Sequence, residues 1–394
     1  MPTETSAGPT GAEDLDRAPI PLFDLRLSDA DIEAVSQSLR SGWLTMGPRT
    51  RAFEEAFAAQ LGVRHAVALS SCTAALHLAY LAVGVGPGDE VIVPSYTFVA
   101  TAAAVLYCGA TPVFADIIGE DDLSLDPQEV RRWLSPRTKA VACVHFAGFP
   151  APVDRLAELC AEEGIALIED AAHAPSATLQ GRKLGTWGKV GAFSLYSNKI
   201  LSVGEGGLLV TDEEDVAELA RGLRSHAMSA GTWERHGGQS DAYDVLGIGF
   251  NYRIDEPRSV LAHSRLGGLE ADISARRRLT RAYRARLREH TGLIVPYPDE
   301  AVEDSCCYMM PILLRDPARR DQLRRALRER HGVQTSVHYP PVHRFAAYRE
   351  RWPDVSLPRT EAVSGREITL PLFPHMSDLQ LDRVIGALQA EVPG

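Results

Sequence analysis

The sequence predicts an α/β protein in which a large domain, with a mostly parallel sheet between helices, is followed by a smaller C-terminal α/β domain. Three observations carry this expectation. From residue 66 to residue 170, short apolar runs alternate with helical stretches, the order that lays parallel strands beneath crossover helices. Several of those runs, such as Val91-Ile92-Val93 and Ala140-Val141-Ala142-Cys143-Val144, are apolar at every position, as strands buried on both faces are. Near residue 250 the texture changes to an Arg-rich helical stretch, and a second, smaller set of strands and helices follows. The expected division is a flexible tail at 1–19, a large domain at 20–255, and a connecting helix with a small domain at 256–394.

The elements follow in order. Ser28-Asp29-Ala30-Asp31 opens a helix that ends near Ser41-Gly42, and a loop then runs to Pro48. A helix from Thr50 to Leu61 leads into a strand at Ala66–Leu69. Helix Thr73–Val83, strand Glu90–Pro94, helix Ala100–Cys108 and strand Thr111–Asp116 come next. Helix Pro127–Leu134 starts behind Asp126 as N-cap, with Pro127 at the first helical position. Strands Ala140–His145 and Ala166–Glu169 flank helix Asp154–Glu163. Beyond residue 250 the reading is one helical stretch from Ser259 to Leu287, strand Tyr308–Leu314, helix Pro317–Arg330, strand Gln334–His338 and a last helix at Ser377–Glu391.

Bulk composition narrows the function. Forty-one Lys and Arg against 52 Asp and Glu give a net charge of −11. Such a surface lacks the basic footprint that nucleic acid requires. The first residues are rich in Thr, Gly, Pro and acidic side chains with no apolar segment, and no run is long enough to span a membrane. The expectation is a cytoplasmic enzyme. The six cysteines form no CxxC pair and read as free thiols in a reducing compartment.

Five segments can carry chemistry. Ser70-Ser71-Cys72-Thr73 joins a strand to a helix start, where free N–H groups and hydroxyls suit a phosphate, although Ser71 as a plain N-cap explains the same residues. Ile168-Glu169-Asp170-Ala171-Ala172-His173 puts two carboxylates at a strand end, where α/β folds bind ligands. Asp170 suits a cationic ring nitrogen there, or a helix cap. Gly191-Ala192-Phe193-Ser194-Leu195-Tyr196-Ser197-Asn198-Lys199, followed by Gly204-Glu205-Gly206-Gly207, places a lysine after a strand. A desolvated lysine is a good Schiff-base former, whereas a loop lysine otherwise reaches for solvent. The fourth segment is Gly249-Phe250-Asn251-Tyr252-Arg253. The fifth is Val337-His338-Tyr339-Pro340-Pro341-Val342-His343, whose histidines have no carboxylate or cysteine at metal-ligand spacing, so no metal is expected.

Taken together and in order, these segments resemble the DegT/DnrJ/EryC1/StrS family of sugar aminotransferases, within the aspartate aminotransferase (fold type I) superfamily. The resemblance runs from about Ile20 to the C-terminus. It includes Ser41-Gly42-Trp43-Leu44-Thr45-Met46-Gly47-Pro48 and Pro94-Ser95-Tyr96-Thr97-Phe98 beside the Asp170, Lys199 and Asn251 segments. It implies that the large domain binds pyridoxal 5′-phosphate (PLP) as a Schiff base on Lys199. It further implies that Asp170 meets the pyridine nitrogen, Phe98 stacks on the ring and His173 contacts the phenolic oxygen. Cys72, Thr73 and Ser194 match phosphate-binding positions, and Asn251 matches a residue that reaches the phosphate from the neighbouring subunit of a homodimer. Thr45, Met46, Tyr196, Arg253, His338 and Tyr339 fall where the family binds its sugar or nucleotide.

The implied partners are a keto-sugar and an amino donor, usually glutamate or glutamine. His173 stands where Gln is more usual, Leu195 where an aromatic is common, and Asp255–Val260 departs from the usual helix start. These departures bear on the substrate. Two other readings stay open: a PLP-dependent sugar dehydratase, although the relative of that kind replaces the lysine with histidine, and a non-catalytic regulator that senses PLP or a sugar.

Overall fold

The computed structural model describes residues 18–229, 233, 236 and 242–392. The expected tail at 1–19 lies outside these residues except for its last two. Among the described residues, nine strands form the first half: β1 (His65–Leu69), β2 (Glu90–Pro94), β3 (Thr111–Ala115), β4 (Thr138–Val144), β5 (Ala166–Asp170), the short hairpin β6 (Thr178–Leu179) and β7 (Arg182–Lys183), then β8 (Val190–Ser194) and β9 (Gly207–Thr211). Seven of them make one sheet in the order β1-β9-β8-β5-β4-β2-β3. Every neighbouring pair from β8 to β3 is parallel. Strand β9 runs against both of its neighbours, β8 and β1.

The alternation of side chains across this sheet divides the core in two. Val67, Leu69, Val91, Val93, Ile168 and Leu209 pack on one face. Ala66, Ala68, Ile92, Val141, Phe193 and Leu208 pack on the other. Both faces are apolar because helices cover both, which is why the strands read as unbroken apolar runs. Helix Cys72–Ala82 is buried along most of its length and belongs to the first face. The second face continues without a break into a three-stranded antiparallel sheet of β10 (Leu293–Ile294), β11 (Met310–Leu314) and β12 (Glu367–Leu370). Helices Arg320–His331 and Asp378–Glu391 pack together beside it. The start of the chain joins this part too: Ile20 pairs with Val333, and its N–H meets Gly332 O at 2.8 Å.

Local chemistry explains the helix ends. Ser28 with Asp31 and Ser377 with Gln380 form capping boxes, and Asp126 caps helix Pro127–Trp133. Two expected elements differ. The stretch expected as one helix from Ser259 to Leu287 is two helices, Glu256–Leu266 and Leu269–Leu287, because Gly267-Gly268 interrupts it. The strand expected at Gln334–His338 is reduced to single bridges at Val333 and Ser336. His338 gives its N–H to the Glu367 carboxylate instead of a neighbouring backbone, and Pro340-Pro341 have no N–H to offer. Among the described residues no helix is long and apolar enough to cross a membrane.

Candidate active site

The parallel strands open onto one edge, and the antiparallel β9 enters the sheet from that same edge. A cavity of about 410 Å³ lies there. Its walls bring together Cys72, Thr73, Phe98, Asp170, His173, Ser194, Tyr196, Lys199, His338 and Tyr339 from segments spread over the whole chain.

One wall is the start of helix Cys72–Ala82. Ser71 caps it, accepting from Ala74 N at 3.1 Å. Cys72 and Thr73 occupy the first turn, where backbone N–H groups have no acceptor within the helix. Gly207 lies opposite Leu69 in the sheet, and a Cβ on it would fall 2.4 Å from Cys72 N. Only glycine lets β9 pass this close to the helix start. The resulting cradle of N–H groups and hydroxyls fits an anion such as a phosphate.

At the end of β5, Asp170 is 5% exposed. Thr101 donates to its Oδ2 at 2.7 Å and Ala172 N to its Oδ1 at 3.2 Å. Burial pushes its pKa up, and these two donors oppose that shift. A cationic ring nitrogen beside Asp170 would satisfy what burial leaves uncompensated. Beneath it, His145 and Glu169 are fully buried and hydrogen-bonded at 3.0 Å, and Gly185 N and Gly188 N both donate to Glu169 at 2.7 Å.

Lys199 sits in the loop between β8 and β9, its N–H held by Tyr196 O at 2.8 Å. Its Nζ lies 4.5 Å from the centre of the Tyr308 ring, and among the described residues it has no ion-pair partner. Burial lowers its pKa to about 8 from 10.5, against smaller opposing effects of Cys72, Asp170 and Cys306. A free amine is therefore accessible near neutrality.

The roof is aromatic. The His173 ring stacks on Tyr308 with centroids 4.6 Å apart, and its Nε2 meets Tyr339 Oη at 3.1 Å. Its Nδ1 is buried without a partner among the described residues, and burial holds the ring neutral by lowering its pKa well below the usual value. Phe98 is 55% exposed at the mouth and faces Tyr339 across 6.0 Å.

Thr45, Met46, Asn251 and Arg253 do not line this cavity. Met46 shares a second cavity with Ser225, the residue that Asn251 bridges, and the 44–50 loop is held by Glu256. This buried carboxylate accepts from Gly47 N, Arg49 N, Thr50 N and Thr50 Oγ1 at 2.8–3.0 Å, and Glu256 N donates to Leu44 O at 3.0 Å. It thus caps helix Pro48–Leu61, whose own N-cap, Gly47, has no side chain to do so. Asn251 is exposed, and Arg253 keeps one buried guanidinium nitrogen without a partner among the described residues.

Sequence reasoning missed Thr101, Tyr308 and Glu256. Thr101 lies four residues beyond Thr97 in a helix, where Thr is unremarkable. Tyr308 lies more than a hundred residues from Lys199. Glu256 had a faint signal, since a capping residue was lacking before Pro48 and the 255–260 segment was unusual.

The cavity fits PLP: an anion cradle, a buried carboxylate and a desolvated amine share one space of suitable size. Comparison with known proteins agrees. Residues 26–389 match the DegT/DnrJ/EryC1/StrS aminotransferase family. The chain is 37% identical over 371 residues to the spore coat polysaccharide biosynthesis protein SpsC of Bacillus subtilis, covering 92% of this chain and 95% of that one. The crystal structure of the aminotransferase TlmJ from Streptoalloteichus hindustanus superposes with a TM-score of 0.88 at 36% identity, covering 95% of this chain and 99% of TlmJ. NtdA from Bacillus subtilis, solved with its cofactor PMP, gives 0.83 at 26% identity, covering 93% and 83%. Family, fold and cavity agree, and the chain belongs to the DegT/DnrJ/EryC1/StrS aminotransferase family of PLP-dependent enzymes.

Proposed function

We propose that this enzyme converts a keto group of a nucleotide-linked sugar, or of a related cyclitol, to an amine. The amino group comes from glutamate or glutamine, and the two half-reactions alternate in ping-pong order. The carrying observation is that Lys199, Asp170 and the Cys72–Thr73 helix start line one cavity. SpsC, named for polysaccharide biosynthesis, supports the sugar. An aminosugar for a surface polysaccharide or a secondary metabolite, made in the cytoplasm, is the product class.

In this reading Cys72, Thr73 and Ser194 hold the cofactor phosphate, and Lys199 holds the cofactor covalently. Asp170 pairs with the ring nitrogen, Phe98 covers one ring face and His173 faces the phenolic oxygen. Bound PLP supplies an electron sink for the charge left when a proton leaves the substrate carbon. As a free base in the cavity, the Nζ of Lys199 takes up that proton and hands it back. Its lowered pKa suits this task. Tyr196, His338 and Tyr339 surround the space where the sugar sits.

Thr45, Met46 and Arg253 bind the sugar or its nucleotide, and Asn251 reaches the cofactor phosphate of the neighbouring subunit of a homodimer. Supporting this, Asn251 lies outside its own chain's cavity, and Leu246 and Ile248 just before it are 74% and 91% exposed.

The test combines enzyme, PLP, glutamate and keto-sugars. Amine product with an equal amount of 2-oxoglutarate is expected. A sugar that loses water and gains no nitrogen would establish the dehydratase reading instead, against which the lysine at 199 argues.

A further inference from the structure

Behind the cavity wall a fully buried carboxylate, Glu367, is connected to His338 twice. Its Oε2 accepts the His338 N–H at 2.7 Å. Its Oε1 is hydrogen-bonded to Thr369 Oγ1, which in turn lies 2.8 Å from His338 Nδ1. Tyr96 Oη donates to His338 O at 2.7 Å and fixes the residue from the other side. His338 Nε2 makes no hydrogen bond among the described residues, and His338 lines the cavity with Lys199.

The arrangement has a strict proton count. Thr369 has one hydroxyl proton and can give it to Glu367 or to His338. If Glu367 is ionised, Thr369 donates to it and must accept from His338, so Nδ1 carries the proton and Nε2 is a bare acceptor. If Glu367 is protonated, the amide already on Oε2 leaves Oε1 to bear the proton. Glu367 then donates to Thr369, Thr369 donates to Nδ1, and Nε2 carries the proton. We propose that Glu367, acting through Thr369, sets which nitrogen of His338 is protonated, and so whether the cavity meets a hydrogen-bond donor or an acceptor at His338. His338 changes tautomer without changing charge.

Burial raises the Glu367 pKa to about 8, against hydrogen bonds from Thr369 and the His338 amide and the charges of Arg320 and Arg324. Tyr96 and Tyr339 also face Glu367, and burial raises both phenols well above their usual range, so they stay neutral. His338 itself is lowered to about 4 by burial, then by Lys199 and Arg324. Below about pH 8 Glu367 is therefore protonated and His338 presents Nε2–H, suited to an oxygen of the acceptor substrate; above it, the donor is withdrawn. That last step rests on the proposed keto-sugar reaction, whereas the tautomer does not. Glu367 and Thr369 are positioning residues.

Long-range proton–nitrogen NMR of the holoenzyme labelled with ¹⁵N-histidine reads the tautomer directly, with His338→Gln for assignment. The expected result is neutral His338 with its proton on Nε2 below about pH 8 and on Nδ1 above it. Glu367→Gln, whose amide donates permanently to Thr369, locks Nε2–H across the range. Thr369→Val uncouples the tautomer from pH, and Thr369→Ser restores the coupling. One tautomer throughout in the wild type, an imidazolium at neutral pH, or continued switching in Glu367→Gln or Thr369→Val overturns the inference. The wild-type titration decides even if a variant fails to fold. Separately, KM for the keto substrate is expected to rise about fivefold to tenfold through this transition in the wild type and not in Glu367→Gln, the worth of one hydrogen bond. An intact tautomer switch without turnover of any keto-sugar refutes the substrate reading alone. Turnover with no tautomer switch refutes this inference alone.

Discussion

Thr101 gives its hydroxyl proton to Asp170 across 2.7 Å, tying helix Ala100–Tyr107 to the end of strand β5 beneath the cavity. The bond supports the charged form of a buried carboxylate. Thr101→Val, nearly equal in volume, leaves that oxygen without its donor. A hydrogen bond to a charged group is worth about 1.5–3 kcal/mol, so kcat/KM is expected to fall about tenfold to hundredfold, with Thr101→Ser largely restored. Steady-state kinetics of the three proteins, with unfolding midpoints as control, checks this.

Lys199→Ala is expected to abolish turnover and the absorbance of covalently held PLP. The pH dependence follows from the lowered pKa. Only the neutral amine attaches to the cofactor, so the rate of PLP attachment to apoprotein should rise with pH and level off above about 8. A rate still climbing toward 10.5 would mark an ordinary, solvated lysine. The sign for stability is consistent. Between about 8 and 10.5 the unfolded chain binds a proton that the folded one does not, so this group makes the apoprotein more stable as pH rises there.

Glu256 holds three backbone N–H groups and one hydroxyl at the start of helix Pro48–Leu61. Glu256→Ala leaves those donors buried or reliant on water. A loss of about 2–4 kcal/mol is expected, more than an ordinary N-cap because several partners go at once. Denaturant unfolding, read as a shifted midpoint with an unchanged slope, measures it.

Gly207→Ala places a methyl 2.4 Å from Cys72 N. The contact is with backbone, which cannot rotate away, so the helix start must shift. Stability is expected to drop by about 1–3 kcal/mol, and PLP affinity to fall about tenfold or more as the N–H cradle is displaced. Equilibrium dialysis of PLP against variant and parent tests it, and unchanged affinity would remove Cys72 and Thr73 from the phosphate site.

Ile248→Asp probes the proposed homodimer. A residue 91% exposed in one chain should tolerate a charge if it faces water. In a subunit interface it should not, and sedimentation is expected to show the variant dissociating at concentrations where the parent stays dimeric. A parent chain that sediments as a monomer would end the idea of a shared site.

What the sequence made legible was chemistry at strand ends. Lys199, Asp170 and the Ser71–Thr73 join each follow a recognisable strand, so their meeting at one sheet edge is a consequence of parallel order. Thr101, Tyr308 and Glu367 were not legible, because each acts through a distant partner and none departs from ordinary helix or strand composition. The 334–338 strand failed for a related reason: a buried Glu367 side chain took the N–H that strand alternation assigned to a neighbouring backbone. Gly267-Gly268, by contrast, stands in the sequence as a break inside the Arg-rich stretch expected to be one helix.

The reversal of strand β9 has a consequence for reach. A parallel return from β8 would need a crossover down the full length of the sheet and back. Because β9 instead starts where β8 ends, residues 195–206 form a short span anchored at both ends on the ligand edge, by Leu195 N to Gly206 O at one end and the Tyr196–Gly204 bridge just inside it. Such a doubly moored span has little slack. The backbone of Lys199 is thereby held at the ligand edge, and the reach of its amine into the cavity is set by the length of its own side chain.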